Sequence, residues 1–138
     1  MNAPRRTIVK TGDAPQAIGP YSQAVKTDTL VFVSGQLALD PATGMLADSD
    51  IRTETRQAMN NLRNILVAAG SSLENVVKVT LFIKNMDDFA MINEVYGEFF
   101  PVDPPARACV EVARLPKDAH FEVRSEEHTS ELQSPNTI

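Results

Sequence analysis

A chain of 138 residues is the size of one ordinary domain, and its 43% hydrophobic and 22% charged residues exclude a disordered or fibrous protein. The formal net charge of -5, with no dense cluster of Lys and Arg, argues against a protein that grips phosphate backbones. Cys109 is the single cysteine, so no internal disulfide or cysteine zinc cage can form, a reducing cytosol is the expected compartment, and no apolar run approaches the roughly 20 residues of a membrane span.

In chain order, "TIVKT" (7–11) is β-branched and reads as a short strand. "TLVFVSGQLAL" (29–39) alternates Leu30 and Phe32 against Val31 and Val33 until Ser34 and Gly35 interrupt it, and "DPATG" (40–44) is a turn. From about Ile51 to Ala69 the apolar positions Ala58, Leu62, Ile65 and Ala69 recur at helical spacing, Arg52, Arg56 and Arg63 look outward, and Gly70 stands where a left-handed cap belongs. "NVVKVTLFIKN" (75–85) is a strand with Val77, Val79, Leu81 and Ile83 on one face and Val76 and Phe82 on the other. A second helix, capped by Asp87 or a neighbour, carries Phe89, Ile92, Tyr96 and Phe99 inward until "PVDPP" stops it. Two last strands, about Arg107 to Leu115 and His120 to Val123, are turned by "PKDA".

This order predicts an α+β domain: one mixed sheet with two helices packed on one face. The uncovered face then needs a partner, which points to a homo-oligomer with ligand clefts between subunits.

Side chains alternate along a strand, so Arg107, Cys109 and Glu111 share one face and Ala108, Val110 and Val112 the other. The apolar set is expected against the helices. By the same count Phe121 and Val123 point into the core and Glu122 and His120 away from it, so Arg107 and Glu122 are expected to look into one inter-subunit space. The plain account of that pair is an ion pair closing a sheet edge. The functional account is a guanidinium fork that holds a substrate carboxylate while Glu122 orients a water. Cys109 reads either as a small buried hydrophobe or, beside an arginine, as a favoured thiolate open to modification. His120 reads as a surface residue at a strand start. With no zinc-binding helix, Ser/His/Asp order or phosphate-cradling glycine loop, neither a metal nor an organic cofactor is expected.

From Arg124 the text becomes "RSEEHTSELQSPNTI", almost without large apolar side chains. It resembles the in-frame translation of a common sequencing adapter. The folded domain is therefore expected to be 1–123, with 124–138 a non-native disordered tail in which His128 carries no chemistry.

Four stretches speak together: "AIGPYSQAV" (17–25), "VFVSGQLALDPATG" (31–44), "INEVYGEFF" (92–100) and "PPARACVEVARLPKDAHFEV" (104–123). Over residues 6–123 the chain resembles the RidA family, also called the YjgF or reactive intermediate deaminase family. The resemblance implies a chorismate-mutase-like fold and a homotrimer with three clefts between subunits. It also implies cofactor-independent hydrolysis of 2-imino acids (2-aminoacrylate, 2-iminopropanoate, 2-iminobutanoate) to 2-keto acids and ammonia, on imines released by PLP-dependent serine and threonine dehydratases. By position, Arg107 would anchor the carboxylate and Glu122 would position or activate water; Tyr21, Ser34, Gly35, Asn93 and Cys109 would complete the cleft. Tyr21 could instead simply pack at a turn, and Asn93 could be a helix-surface amide.

One departure stands out: where the family continues its last strand with alternating apolar residues, roughly "EIEAIA", this chain turns polar, and sheet pairing and trimer packing are expected to lose support. Two other functions compete with the deaminase. One is a trimer that binds small carboxylates without turning them over. The other is the ribonuclease or translation-inhibitor activity of some relatives, which an acidic chain with no basic stripe disfavours.

Overall fold

Helix α1 (Ile51–Ala68) begins where the Asp50 side chain accepts the Thr53 N–H at 2.8 Å, and it buries the stripe Ala58, Met59, Leu62, Ile65 and Leu66. It stops at Gly70, whose φ of 78° lets the Ser71 N–H turn back onto the Leu66 carbonyl at 2.9 Å. This computed structural model describes residues 5–129. Its strands are β1 (Thr7–Val9), β2 (Ala24–Lys26), β3 (Leu30–Gln36), β4 (Val76–Ile83), β5 (Ala106–Glu111) and β6 (Phe121–His128), and its second helix is α2 (Phe89–Phe99). The strands form one six-stranded sheet in the order β1-β2-β3-β6-β4-β5, antiparallel throughout except for the parallel pair β4/β5.

Both helices pack together on one face of this mixed α+β sheet. Arg52–Glu94 (2.9 Å) and Arg56–Glu98 (3.1 Å) join their outer surfaces, exposed pairs that each add at most about 1 kcal/mol. Between the helices and the sheet lies a core of Val31, Val33, Val79, Leu81, Ile83, Ile92, Phe121 and Val123. No helix among the described residues is long and apolar enough to cross a membrane.

The second helix starts after Asp88 without a side-chain cap and β5 ends at Glu111 rather than near Leu115, and four further departures from the sequence reading bear on the site. Strand β2 was not anticipated, because three residues are too few to show an alternation. In β4 a register shift between Val76 and Lys78 turns Val76 inward and leaves Val77 45% exposed, so Val76 rather than Val77 starts the buried row of Val79, Leu81 and Ile83.

The third departure concerns β5. Its parallel register sets Val79 beside Arg107, Leu81 beside Cys109 and Ile83 beside Glu111. Paired residues share a face, so Arg107, Cys109 and Glu111 lie on the helix side. Ala108 and Val110 lie on the open side with Phe82 and Glu122, the reverse of the expected placement. Apolarity misled because β5 is the sheet's edge: Val110 is 43% exposed, and neither face of the strand is fully covered.

The fourth correction is the C-terminal segment, expected to be disordered from Arg124. Strand β6 runs on through His128, between β3 (Leu30 opposite His128) and β4 (Val76 opposite Glu127). Backbone pairing on both sides holds it there despite its polar text. Ser125, Glu127 and Thr129 are buried. The rest of that segment, 130–138, lies outside the described residues.

Candidate active site

Two groups of candidate residues assemble, one on each side of the sheet. On the helix side, β5 presents Arg107 to α2, where Phe89, Asn93 and Tyr96 sit at i, i+4 and i+7 and so share one face. Arg107 Nη1 donates to Asn93 Oδ1 at 2.8 Å, and its guanidinium carbon lies 4.8 Å from the centre of the Tyr96 ring and 5.5 Å from that of Phe89. Among the described residues no carboxylate forms an ion pair with it. The cation is thus oriented, but not neutralised. Asn93 is more than a helix-surface amide: it aims the fork. Cys109, two residues along, points to the same side. Burial pushes its thiol above the usual value and the opposing pull of Arg107 is smaller, which favours the small, neutral hydrophobe of the two readings of Cys109 over the thiolate.

On the open side, a cavity of about 770 Å³ is lined by Tyr21, Phe32, Ser34, Gly35, Lys117 and Glu122, among others. Glu122 projects from β6, where its register partner is Phe82. Burial raises its carboxyl above the ordinary range, and Arg124 works against that rise. Gly35 lies directly against Glu122: a Cβ there would fall on the carboxyl and make that side chain swing away from its present position. Ser34 Oγ donates to the Ser22 carbonyl at 2.5 Å and the Ser34 N–H to the Gln23 carbonyl at 3.0 Å, so Ser34 fastens the loop that carries Tyr21 to β3. Tyr21 itself is 53% exposed at the cavity wall, against Gly19.

The seven candidates therefore divide. Arg107, Asn93 and Cys109 meet on one side, Tyr21, Ser34, Gly35 and Glu122 on the other, and within one protomer the two sets do not touch.

Two further residues support these sets and were missed in the sequence. Gln23, buried, accepts the Thr11 N–H at 2.7 Å and donates to the carbonyls of Thr11 (3.1 Å) and Pro15 (2.8 Å), which fixes the base of the Tyr21 loop. Its signal was a polar residue entering a short apolar run. Glu54, 1% exposed, accepts the His120 N–H at 2.7 Å and faces His120 Nδ1 at 2.8 Å, clamping the start of β6 two residues before Glu122. It occupies the i−4 position of the Ala58–Leu62–Ile65 stripe, an acid where an apolar residue was due. His120 is thus a tethered surface residue, beside a smaller cavity of about 300 Å³. No cluster of three or more His, Cys, Asp or Glu that could hold a metal occurs among the described residues.

Comparison with known proteins gives the same class. Residues 11–125 match the family described as endoribonuclease L-PSP. The chain is 48% identical to a RutC family protein of Pyrococcus horikoshii, over 87% of this chain and 95% of that one. It is 44% identical to the 2-iminobutanoate/2-iminopropanoate deaminase of Bos taurus, over 91% of each. Among solved structures, a putative endoribonuclease of Thermotoga maritima superposes with a TM-score of 0.88 at 45% identity, covering 90% of this chain and 98% of that one. E. coli TdcF with bound serine gives 0.86 at 43% identity, covering 90% and 99%. The chain belongs to this L-PSP endoribonuclease family, the same family as RidA and YjgF.

Proposed function

We propose that the protein is a cytoplasmic hydrolytic deaminase of 2-imino acids that works at sites shared between neighbouring copies of a homotrimer. The observation that carries this reading is the division just described. A guanidinium oriented by Asn93, with no ion pair among the described residues, lies on one side of the sheet, and a half-buried carboxyl in a cavity lies on the other. Neither side alone holds both a carboxylate anchor and a carboxyl base, and a second copy placed with its β5 edge over the first copy's open face would bring the two sets together. The open face is suited to that contact, since Phe32 and Val110 are 44% and 43% exposed on it. The names of the bovine and human relatives, 2-iminobutanoate/2-iminopropanoate deaminase, supply the reaction class.

In such a cleft the substrate carboxylate takes the N–H groups of Arg107 left free by Asn93, which fixes the imine carbon relative to Glu122 of the neighbouring copy. An enamine first takes a proton on carbon to become the iminium. Glu122 accepts a proton from water as its oxygen bonds to the iminium carbon, giving a carbinolamine. Glu122 passes that proton to nitrogen, then takes the hydroxyl proton as the C=O bond forms and the C–N bond breaks, and the 2-keto acid and ammonia leave. The raised pKa of Glu122 suits it to both steps, and general-base help of this kind contributes about 10²-fold or more. The imine is supplied by PLP-dependent serine or threonine dehydratases.

The test is to add the protein to a threonine dehydratase turning over its substrate and follow 2-ketobutyrate. Faster keto-acid appearance is the expected result. Binding of 2-ketobutyrate without any rate gain would favour the carboxylate-binding alternative, to which the serine in the TdcF structure lends some support. The family description makes ribonuclease activity a third reading, and a net charge of -5 weighs against it.

A further inference from the structure

We propose that Tyr96 is a positioning residue for Arg107: its ring, together with that of Phe89, is the platform that holds the guanidinium plane and leaves the outer N–H groups free for a carboxylate. The inference rests on the reading that Arg107 receives the substrate carboxylate.

A guanidinium on a flexible stem needs two restraints before it can serve as a docking fork. One is an in-plane contact that sets its direction, and the other is a surface that sets its plane. Asn93 supplies the first, at 2.8 Å. Tyr96 supplies the second, with its ring centre 4.8 Å from the guanidinium carbon, nearer than Phe89 at 5.5 Å. All three belong to one face of α2, so the helix delivers the restraints as a unit.

The platform is itself fixed. Tyr96 is buried, and its ring packs against Phe100 with centroids 5.0 Å apart. Its hydroxyl contributes nothing visible to this arrangement, since it is buried with no hydrogen-bond partner among the described residues. Burial pushes that phenol up to about 12, so it stays neutral and offers Arg107 no counter-charge. What remains for Tyr96 to give is the face of its ring, attractive to a cation and too tightly packed to move away. Holding the fork in place before the ligand arrives lowers the ordering cost of binding.

The experiment compares wild type, Tyr96→Phe, Tyr96→Leu and Phe89→Leu, using 2-ketobutyrate as the binding probe, the coupled imine assay for turnover, and 15N relaxation of the Arg107 Nε–H for its order. Tyr96→Leu is expected to weaken 2-ketobutyrate binding and raise KM about tenfold, with kcat within about twofold, and to increase the mobility of Arg107 Nε. Tyr96→Phe, which keeps the ring, is expected to retain affinity and order. A folded Tyr96→Leu protein with wild-type Kd and an equally ordered Arg107 overturns the proposal, and so does a Tyr96→Phe protein as impaired as Tyr96→Leu. If Tyr96→Leu does not fold, the half-buried Phe89→Leu decides by the same readouts, with a smaller loss expected and an unchanged Arg107 contradicting the platform. A wild type that neither binds nor turns over refutes the deaminase reading instead, and the relaxation data still judge the platform.

Discussion

Replacing Arg107 with Ala is expected to lower kcat/KM for an imine generated in situ by roughly 30-fold to several thousand-fold and to weaken 2-ketobutyrate binding by a similar factor, while the protein stays folded. The size follows from the proposed role of the side chain as carboxylate anchor. A charge-assisted, two-pronged hydrogen bond to a carboxylate out of bulk water is typically worth about 2 to 5 kcal/mol when one partner is removed, which spans roughly 30-fold to several thousand-fold. The stability cost is small by comparison. Arg107 is exposed on an edge strand, and its one hydrogen bond and two ring contacts together contribute on the order of 1 to 2 kcal/mol. Arg107→Lys keeps the charge but loses the planar fork and its hold on Asn93, so it should recover only part of the loss. Steady-state kinetics with thermal unfolding of each variant checks both halves. An Arg107→Ala enzyme with wild-type kcat/KM would remove the carboxylate anchor from the account.

Glu127→Leu is expected to stabilise the protein strongly, and more so as pH rises. Glu127 lies on the core side of β6, opposite Val31 and Val76, where a polar tail has been drawn into the sheet. One carboxyl oxygen accepts from Ser125 Oγ at 2.6 Å and the other has no partner among the described residues. Burial pushes its pKa up to about 8 from 4.5, and the neighbouring Glu126 charge adds to the rise. The sign follows directly. Below about pH 4.5 folded and unfolded chains both hold the proton and Glu127 adds no pH dependence. Between there and pH 8 the unfolded chain releases a proton that the folded chain keeps, so stability falls as pH rises. Above pH 8 the folded form releases it too, and the penalty levels off on the order of 5 kcal/mol. Set against a typical domain stability of about 5 to 15 kcal/mol, that is a large handicap. Denaturant unfolding of wild type and Glu127→Leu at pH 5 and pH 8 reads it: the two should approach each other at pH 5 and separate by several kcal/mol at pH 8. Parallel curves would mean that Glu127 ionises in the folded protein as it does in water.

The two effects show where the sequence was legible. Helical periodicity with a glycine cap located α1, and alternation located β4 and the inward side of Phe121 and Val123, because these elements bury one face against a continuous core. The same alternation said that Arg107 opposes Ala108 on β5. It could not say which of the two faces the helices, because an edge strand half-covered on both sides carries no burial contrast; the register with β4 makes that choice. Side-chain polarity alone makes the run after Val123 look unable to form a strand. Side-chain polarity was the wrong criterion there, since β6 lies between two strands that pair with its backbone. Asn93 was found by resemblance, but its task of aiming Arg107 becomes visible only when α2 is laid over β5. Glu54 and Gln23 carried a faint signal, each a polar residue in an apolar context, whose meaning depends on loops distant in sequence.

The sharpest test mixes two inactive proteins. Arg107→Ala and Glu122→Ala variants are each expected to be inactive alone. If Arg107 of one copy works with Glu122 of the next, unfolding them together and refolding as mixed trimers should restore intact sites at about a quarter of the wild-type number. Recovery of activity near that level is the predicted result, and mixed assemblies that stay as inactive as either parent would contradict a site built from two copies.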